Sequence, residues 1–151
     1  MRTFDSIADL TATKGQEIGH SEWVTITQQD VNLFADATGD HQWIHVDPEK
    51  AAAGPFGGPI AHGFLTLSLV APVSQQLLQV TDATAGLNYG MDRVRFPAPL
   101  RVGAEWRGGM EITEVSDVAG GKQIKAKVTI EVKGSEKPAC VAEVLVRVFG
   151  G

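Results

Sequence analysis

The feature that most constrains this chain is a long apolar segment, residues 63–79, that leaves almost no polar face. Its large apolar side chains recur along every turn: Phe64, Leu65, Leu67, Leu69, Val70, Val73, Leu77 and Leu78. A helix that is apolar all round must be covered by the rest of the fold. We therefore predict a buried helix from Gly63 to about Gln79, kinked at Pro72 because proline lacks the amide that a helix interior uses.

The sequence after this segment changes to a period of two. Apolar side chains take the even positions and polar ones the odd positions in residues 124–132, and residues 102–112 and 140–149 follow the same rule less strictly. Such alternation is typical of antiparallel strands with one wet face. Together with the helix it predicts an α+β fold, with an antiparallel β-sheet wrapped around a long central helix.

The sequence before the apolar segment predicts shorter elements. Residues 22–26 (EWVTI) indicate a strand, and Thr27 with Asp30 form a capping box for a helix that runs through Ala37 and ends at Gly39. A second helix of about two turns begins after Asp47, with Pro48 at its first position, and closes at Gly54. Residues 54–63 are rich in glycine and proline and predict a shaped loop.

Length and charge exclude several classes of protein. The 151 residues fit one domain, 1–151, and the formal charge of −5, with 13 basic residues among 18 acidic ones, argues against nucleic acid. Asp5 and Asp9 interrupt the N-terminus, and no segment reaches the roughly 18 apolar residues of a membrane span, so we expect a cytoplasmic protein without a membrane partner. Cys140 stands alone in an apolar strand and is expected to be a buried structural thiol.

Asp40 and His45 are the first candidates for chemistry, because both lie between the two predicted helices. A carboxylate and an imidazole in one pocket can hold a water between them and move its protons. His45 would also lie just before the N-terminus of the second helix, where partial positive charge favours anions. The alternative is that Gly39-Asp40 is an ordinary turn and His45 a half-buried structural histidine.

The sequence His62-Gly63 is the second candidate, because it stands where the glycine-rich loop enters the apolar helix. The amide of Gly63 would be one of the unpaired donors of that helix and could bind a carbonyl oxygen that becomes negative during a reaction. The alternative is that Gly63 only permits close packing. No HxH, HExxH or cysteine cluster indicates a metal site.

Together these motifs resemble the MaoC-like, (R)-specific enoyl-CoA hydratases (hydratase 2), a family with the hot-dog fold. The resemblance rests on Phe34, Gly39-Asp40 and His45, and on Ile60-Ala61-His62-Gly63 at the start of the central helix. It implies reversible addition of water to a trans-2-enoyl-CoA, giving the (R)-3-hydroxyacyl-CoA. It also implies that Asp40 and His45 hold the catalytic water, that the Gly63 amide polarises the thioester carbonyl, and that no cofactor is used beyond the coenzyme A of the substrate.

The resemblance further implies where the acyl-CoA thioester substrate binds. Ile60, Ala61 and His62 would line its site, and Arg93 and Arg95, with Arg101 as a further candidate, would meet the coenzyme A phosphates. Gln42-Trp43 stands where the family usually has Asn-Pro, so Trp43 is expected to reshape the acyl entrance. Residues 54–59 could form a lip over the pocket.

Three other functions remain open at this point. The chain could be a 3-hydroxyacyl dehydratase that acts on acyl carrier protein, a hot-dog acyl-CoA thioesterase, or a non-catalytic acyl-CoA-binding module. The Asp40 and His45 pair favours a hydratase over the last two. A single sheet leaves an edge and a face that a second copy could cover, so we expect a homodimer.

Overall fold

The computed structural model describes residues 1–150 and contains eight strands, five α-helices and a 3-10 helix at Ile7–Thr13. The helices are α1 (Gln28–Thr38), α2 (Trp43–Val46), α3 (Pro48–Ala52), α4 (Gly63–Ser68) and α5 (Val70–Leu77). The strands are β1 (Arg2–Phe4), β2 (Gln16–His20), β3 (Val24–Thr25), β4 (Leu78–Val80), β5 (Ala83–Arg95), β6 (Glu105–Val118), β7 (Gly121–Val132) and β8 (Cys140–Gly150).

Six of the strands form one antiparallel sheet in the order β2-β6-β7-β8-β5, with β3 paired to β6 beside β2. The alternation predicted from the sequence is confirmed, because the even positions of β6, β7 and β8 supply buried side chains such as Met110, Val128 and Val144. α5 packs against β6 so closely that a Cβ at Gly108 would overlap the side chain of Val73. The architecture is the predicted α+β hot-dog fold.

The central helix is divided into α4 and α5, in line with the kink predicted from Pro72, and it ends at Leu77 and not at about Gln79. The break falls at Leu69, between α4 and α5, because Pro72 has no amide to bond the carbonyl of Ser68 and its ring would collide with that carbonyl. Residues 78–80 are not helical: they form β4, which pairs in parallel with β1 near the N-terminus.

The prediction that this helix is buried on all sides is also wrong within the described chain. Val70, Val73 and Leu77 are buried against the sheet, whereas Phe64 is 76% exposed. The opposite face of α4 and α5 borders an apolar cavity of about 600 Å³, which β5 and β8 close on the other side. The unbroken apolar pattern therefore reflects a core on one side and a cavity on the other.

The elements before the central helix largely match the sequence predictions. The side chain of Thr27 accepts a hydrogen bond from the amide of Asp30 in a capping box at the start of α1. Gly39 ends α1 with a left-handed φ of 82°. Asp47 caps α3, with Pro48 at its first position. The strand predicted at 22–26 shortens to β3, and β1, β2 and the 3-10 helix were not predicted. No helix within residues 1–150 is both long and apolar enough to cross a membrane.

Candidate active site

The candidate site forms where α2 meets the loop that leads into α4. His45 lies within α2, a one-turn helix, so the prediction that it directly precedes α3 is corrected by one short element. The amide of His45 bonds the carbonyl of Gln42 at 3.0 Å, and Gln28 in α1 donates to the carbonyl of His45 at 2.8 Å. These contacts fix the backbone that carries the imidazole.

The ring of His45 is buried and held in one tautomer. Its Nδ1 lies 2.7 Å from the carbonyl oxygen of Ile60. A carbonyl only accepts, so Nδ1 carries the proton and the neutral ring presents an unprotonated Nε2. Burial lowers the pKa of His45 below its ordinary value, and the neighbouring His62 lowers it further, against the opposing effects of Ile60 and Asp40. His45 is therefore suited to accept a proton.

His62 stacks on His45, with ring centroids 3.9 Å apart and an interplanar angle of 26°. Its Nε2 lies 2.9 Å from the backbone carbonyl oxygen of Asp40 and must donate to it. The remaining nitrogen, Nδ1, is buried without a hydrogen-bond partner among the residues described. Phe34 covers the ring at 4.8 Å between centroids, tilted by 50°.

Asp40 follows Gly39 and is exposed. One carboxylate oxygen of Asp40 and one ring nitrogen each of His45 and His62 all lie within 4.8 Å of one another. The predicted proximity of Asp40 and His45 is therefore confirmed. Asp40 also forms the predicted turn, because its Oδ1 accepts a hydrogen bond from the amide of Gln42 at 3.3 Å.

The same three side chains are a possible set of metal ligands that local spacing in the sequence did not reveal. A metal lies in the plane of each imidazole that ligates it, along the nitrogen lone pair. Nδ1 of His45 and Nε2 of His62 already bond backbone carbonyl oxygens, which leaves one ring nitrogen of each histidine for any other partner.

Gly63 is the first residue of α4 and is exposed beside this cluster. Within residues 1–150 its amide has no hydrogen-bond acceptor, as predicted for a helix start. The ring of Phe96, just after β5, lies over Gly63, about 3.6 Å from where a Cβ would stand. Phe96 was not predicted, because no sequence pattern links it to position 63.

The other predicted site residues divide into two groups. Ile60 and Ala61 are buried next to His45 and His62, and Ile60 contributes through its carbonyl oxygen. Arg93 and Arg95 are exposed at the C-terminal end of β5, and Phe96 is the next residue in the chain. The proximity of these two arginines to a bound coenzyme A stays a prediction.

Residues of the glycine-rich loop and Trp43 pack together away from the cavity. The ring of Trp43 packs against Gly54, about 3.0 Å from where a Cβ of Gly54 would stand. The ammonium group of Lys50 lies 4.9 Å from the centroid of the Trp43 ring. This packing gives no support to a role for Trp43 at the acyl entrance. Arg101 donates to the carbonyl of Gly57 at 2.8 Å and ties down the loop that was predicted to form a lip.

Cys140 is fully buried at the start of β8. Burial raises the pKa of its thiol to about 11, so almost no thiolate forms at neutral pH. The prediction of a structural cysteine is confirmed.

Comparison with known proteins adds independent findings. The MaoC like domain family matches residues 9–134. 3-Hydroxyacyl-thioester dehydratase Z of Mycobacterium tuberculosis is 57% identical over 148 residues, which cover 97% of this chain and 98% of the relative. Nodulation protein N of Rhizobium meliloti is 46% identical over 140 residues, covering 91% and 87%. Among solved structures, an (R)-hydratase from A. caviae involved in PHA biosynthesis superposes with a TM-score of 0.71 at 26% identity, covering 86% of this chain and 95% of that one.

Proposed function

This chain belongs to the MaoC-like domain family, and from that premise we propose that it is an (R)-specific enoyl-CoA hydratase. It adds water reversibly across the double bond of a trans-2-enoyl-CoA to give the (R)-3-hydroxyacyl-CoA, and in the reverse direction acts as a dehydratase. The observation that carries the proposal is the proximity of the Asp40 carboxylate to ring nitrogens of His45 and His62, with the unpaired amide of Gly63 directly after His62 in the chain.

The first part of the mechanism is the binding of one water. An ionised carboxylate and an unprotonated imidazole nitrogen are both acceptors, so a water between Asp40 and His45 can give one hydrogen to each. Two hydrogen bonds of about 2.8 Å can span a separation of up to roughly 5.6 Å, and a carboxylate oxygen of Asp40 lies within 4.8 Å of a ring nitrogen of His45. Both hydrogens are then occupied, and a lone pair of the water oxygen is free to attack carbon.

The second part is stabilisation of charge on the thioester. Attack on the β-carbon moves electron density through the α-carbon to the thioester oxygen, which becomes enolate-like. In this proposal the amide of Gly63, which has no acceptor within residues 1–150, donates to this oxygen. The loss of such a donor typically costs roughly 10²- to 10³-fold in rate. The ring of Phe96 lies close to Gly63, about 3.6 Å from where a Cβ of this residue would stand.

The atoms balance over the complete addition. The water oxygen forms a bond to the β-carbon, one of its protons passes to the pair formed by Asp40 and His45, and a proton from that pair bonds the α-carbon. The two groups share protons and are treated as a coupled pair. The residues supply acid–base and electrostatic chemistry alone, so the proposed reaction uses no cofactor beyond the coenzyme A of the substrate.

The apolar cavity between α5 and β5 supports an acyl substrate. Its lining includes Phe64, which follows Gly63 directly, but none of Asp40, His45 and His62, so the proposal has the acyl chain run from the Gly63 amide past Phe64 into the cavity. The volume of about 600 Å³ lies within the ordinary range for small-molecule sites, roughly 300–1,000 Å³. Arg93 and Arg95 are proposed to meet the coenzyme A phosphates outside this cavity.

We also propose a homodimer. β5 has β8 on one edge, and the other edge has no partner strand within residues 1–150. Leu87 and Tyr89 on β5 are each 53% exposed, which makes an open apolar edge. Sedimentation analysis should give twice the mass of the chain, and a monomer at micromolar concentration would contradict this part of the proposal.

The activity is tested with purified protein and trans-2-enoyl-CoA substrates of short and medium chain length. Loss of the enoyl ultraviolet band, with product oxidised only by an (R)-specific hydroxyacyl-CoA dehydrogenase, would establish the reaction and its stereochemistry. Release of free thiol without β-hydroxylation would instead indicate a thioesterase. Turnover of the acyl-carrier-protein thioester alone would place the enzyme among carrier-protein dehydratases.

A further inference from the structure

His62 is the one buried polar side chain of the site that the proposed mechanism leaves without a task. It is 2% exposed, more buried than His45 itself. Its Nε2 reaches a backbone atom 22 residues away, the carbonyl oxygen of Asp40. Its ring face covers His45 and its other side packs on Phe34.

We propose that His62 is a positioning residue that sets the separation between the Asp40 carboxylate and the His45 imidazole. The inference rests on the proposed function of the same site. His62 contacts both members of the pair, Asp40 through a hydrogen bond to its backbone carbonyl and His45 through ring stacking, and His62 itself directly precedes Gly63.

The hydrogen bond from His62 to the Asp40 carbonyl is the contact that fixes the position of Asp40. Asp40 is exposed and follows a glycine, so its own side chain has little packing to hold it. Besides the contact from His62, its hydrogen bonds within residues 1–150 are two long local ones, from its amide to Thr38 at 3.4 Å and to its carboxylate from Gln42 at 3.3 Å. The 2.9 Å bond from His62 is the shortest and links Asp40 to a buried group.

The unpaired Nδ1 of His62 supports a functional reason for this geometry. A buried acceptor without a partner is unfavourable, and native structures retain few such groups. Only Nε2 of the ring is hydrogen-bonded, to the Asp40 carbonyl, and Nδ1 has no partner among the residues described. A histidine retained only to fill space carries a polar cost that an apolar ring of similar size would avoid.

Two substitutions separate the hydrogen bond from the packing. Gln in place of His62 can still donate from the position of Nε2, whereas Phe keeps an aromatic ring that stacks but cannot donate. We expect His62→Phe to lower kcat for hydration of a trans-2-enoyl-CoA by about 10²-fold, the typical effect of misplacing a catalytic group by 1 Å, with little change in KM. His62→Gln should retain a clearly larger fraction of kcat.

The matched control is His41→Gln. His41 is exposed, lies next to Asp40 and bonds only the carboxylate of Asp36 among the side chains described. Its substitution should leave kcat and KM unchanged. If His62→Phe is as active as His62→Gln or more so, packing explains the residue and the positioning role is refuted.

A measurement on the unmodified protein decides the inference even if a variant fails to fold. Nitrogen chemical shifts should show neutral His62 protonated on Nε2 and unprotonated on Nδ1, and protonation on Nδ1 would overturn the proposal. This readout does not depend on turnover. A wild-type protein inactive on every enoyl thioester, yet with the Nε2 tautomer, would refute the proposed function and leave the positioning of Asp40 standing.

Discussion

Replacement of Gly63 by proline should remove the amide donor from the site and put the Cδ of the ring where the amide hydrogen was. Gly63 is the first residue of α4, a position where proline is well tolerated. Proline requires the preceding residue to be extended, and His62 already has φ −57° and ψ 142°. The lost amide donates to no acceptor within residues 1–150, so the fold loses no hydrogen bond.

The expected magnitude follows from the role of the amide as the donor to the thioester oxygen. Loss of one such donor typically lowers kcat by roughly 10²- to 10³-fold, about 2.7–4 kcal/mol. Stability should not fall, because proline restricts the unfolded chain and at compatible sites adds about 0.4–1 kcal/mol. The variant should therefore be folded and nearly inactive.

The control is Gly63→Ala, which keeps the amide. Its Cβ would lie 3.6 Å from Phe96, an ordinary contact, so it should fold and retain most activity. Hydration of a trans-2-enoyl-CoA is followed for both variants by the ultraviolet band, and thermal unfolding is followed by circular dichroism. Equal activity of the proline and alanine variants would show that the Gly63 amide does not stabilise the transition state.

The remaining predictions concern Asp40, the dependence of kcat/KM on acidic pH, and packing in the core. Asp40→Asn should keep the melting temperature, because Asp40 is exposed, and should lose turnover; near-normal kcat would contradict the water-binding role. Because the pKa of His45 is lowered and its neutral form accepts the proton, kcat/KM should stay level as pH falls through the ordinary histidine range and decline only below it, as a pH profile would show. Gly108→Ala would overlap Val73 and should destabilise by about 1–3 kcal/mol in urea unfolding, whereas Gly90→Ala, with open space at its Cβ, should change stability far less.

Much of the sheet could be predicted, because strands with one buried face alternate apolar and polar residues along the sequence. β5 could not, although it has 13 residues. It lies at the edge of the sheet with most of its side chains exposed, and Gly86, Asn88 and Gly90 break any alternation. β2 supplies one buried side chain, Ile18, which is too little for a pattern. The pairing of β1 with β4 joins residues more than 70 positions apart and leaves no local signal.

The central helix shows a different limit. An apolar side chain in the sequence indicates removal from water, but it does not distinguish a packed core from the wall of a cavity. Val73 and Phe64 look alike in the pattern, yet one is buried and the other mostly exposed. Within the site, Asp40 and His45 were predictable as neighbours since they are five positions apart in the sequence, whereas the contacts of His62 and Phe96 depend on the tertiary fold.

The groups that orient the chemistry are largely main-chain atoms. The tautomer of His45 is set by the carbonyl of Ile60, the Asp40 turn is held through its own carbonyl, and the proposed donor to the thioester oxygen is the amide of Gly63. Side-chain exchange at these positions leaves such atoms in place unless proline is introduced. The tautomer that leaves Nε2 of His45 unprotonated is therefore expected to survive side-chain substitution at Ile60, since the carbonyl oxygen that fixes this tautomer belongs to the main chain.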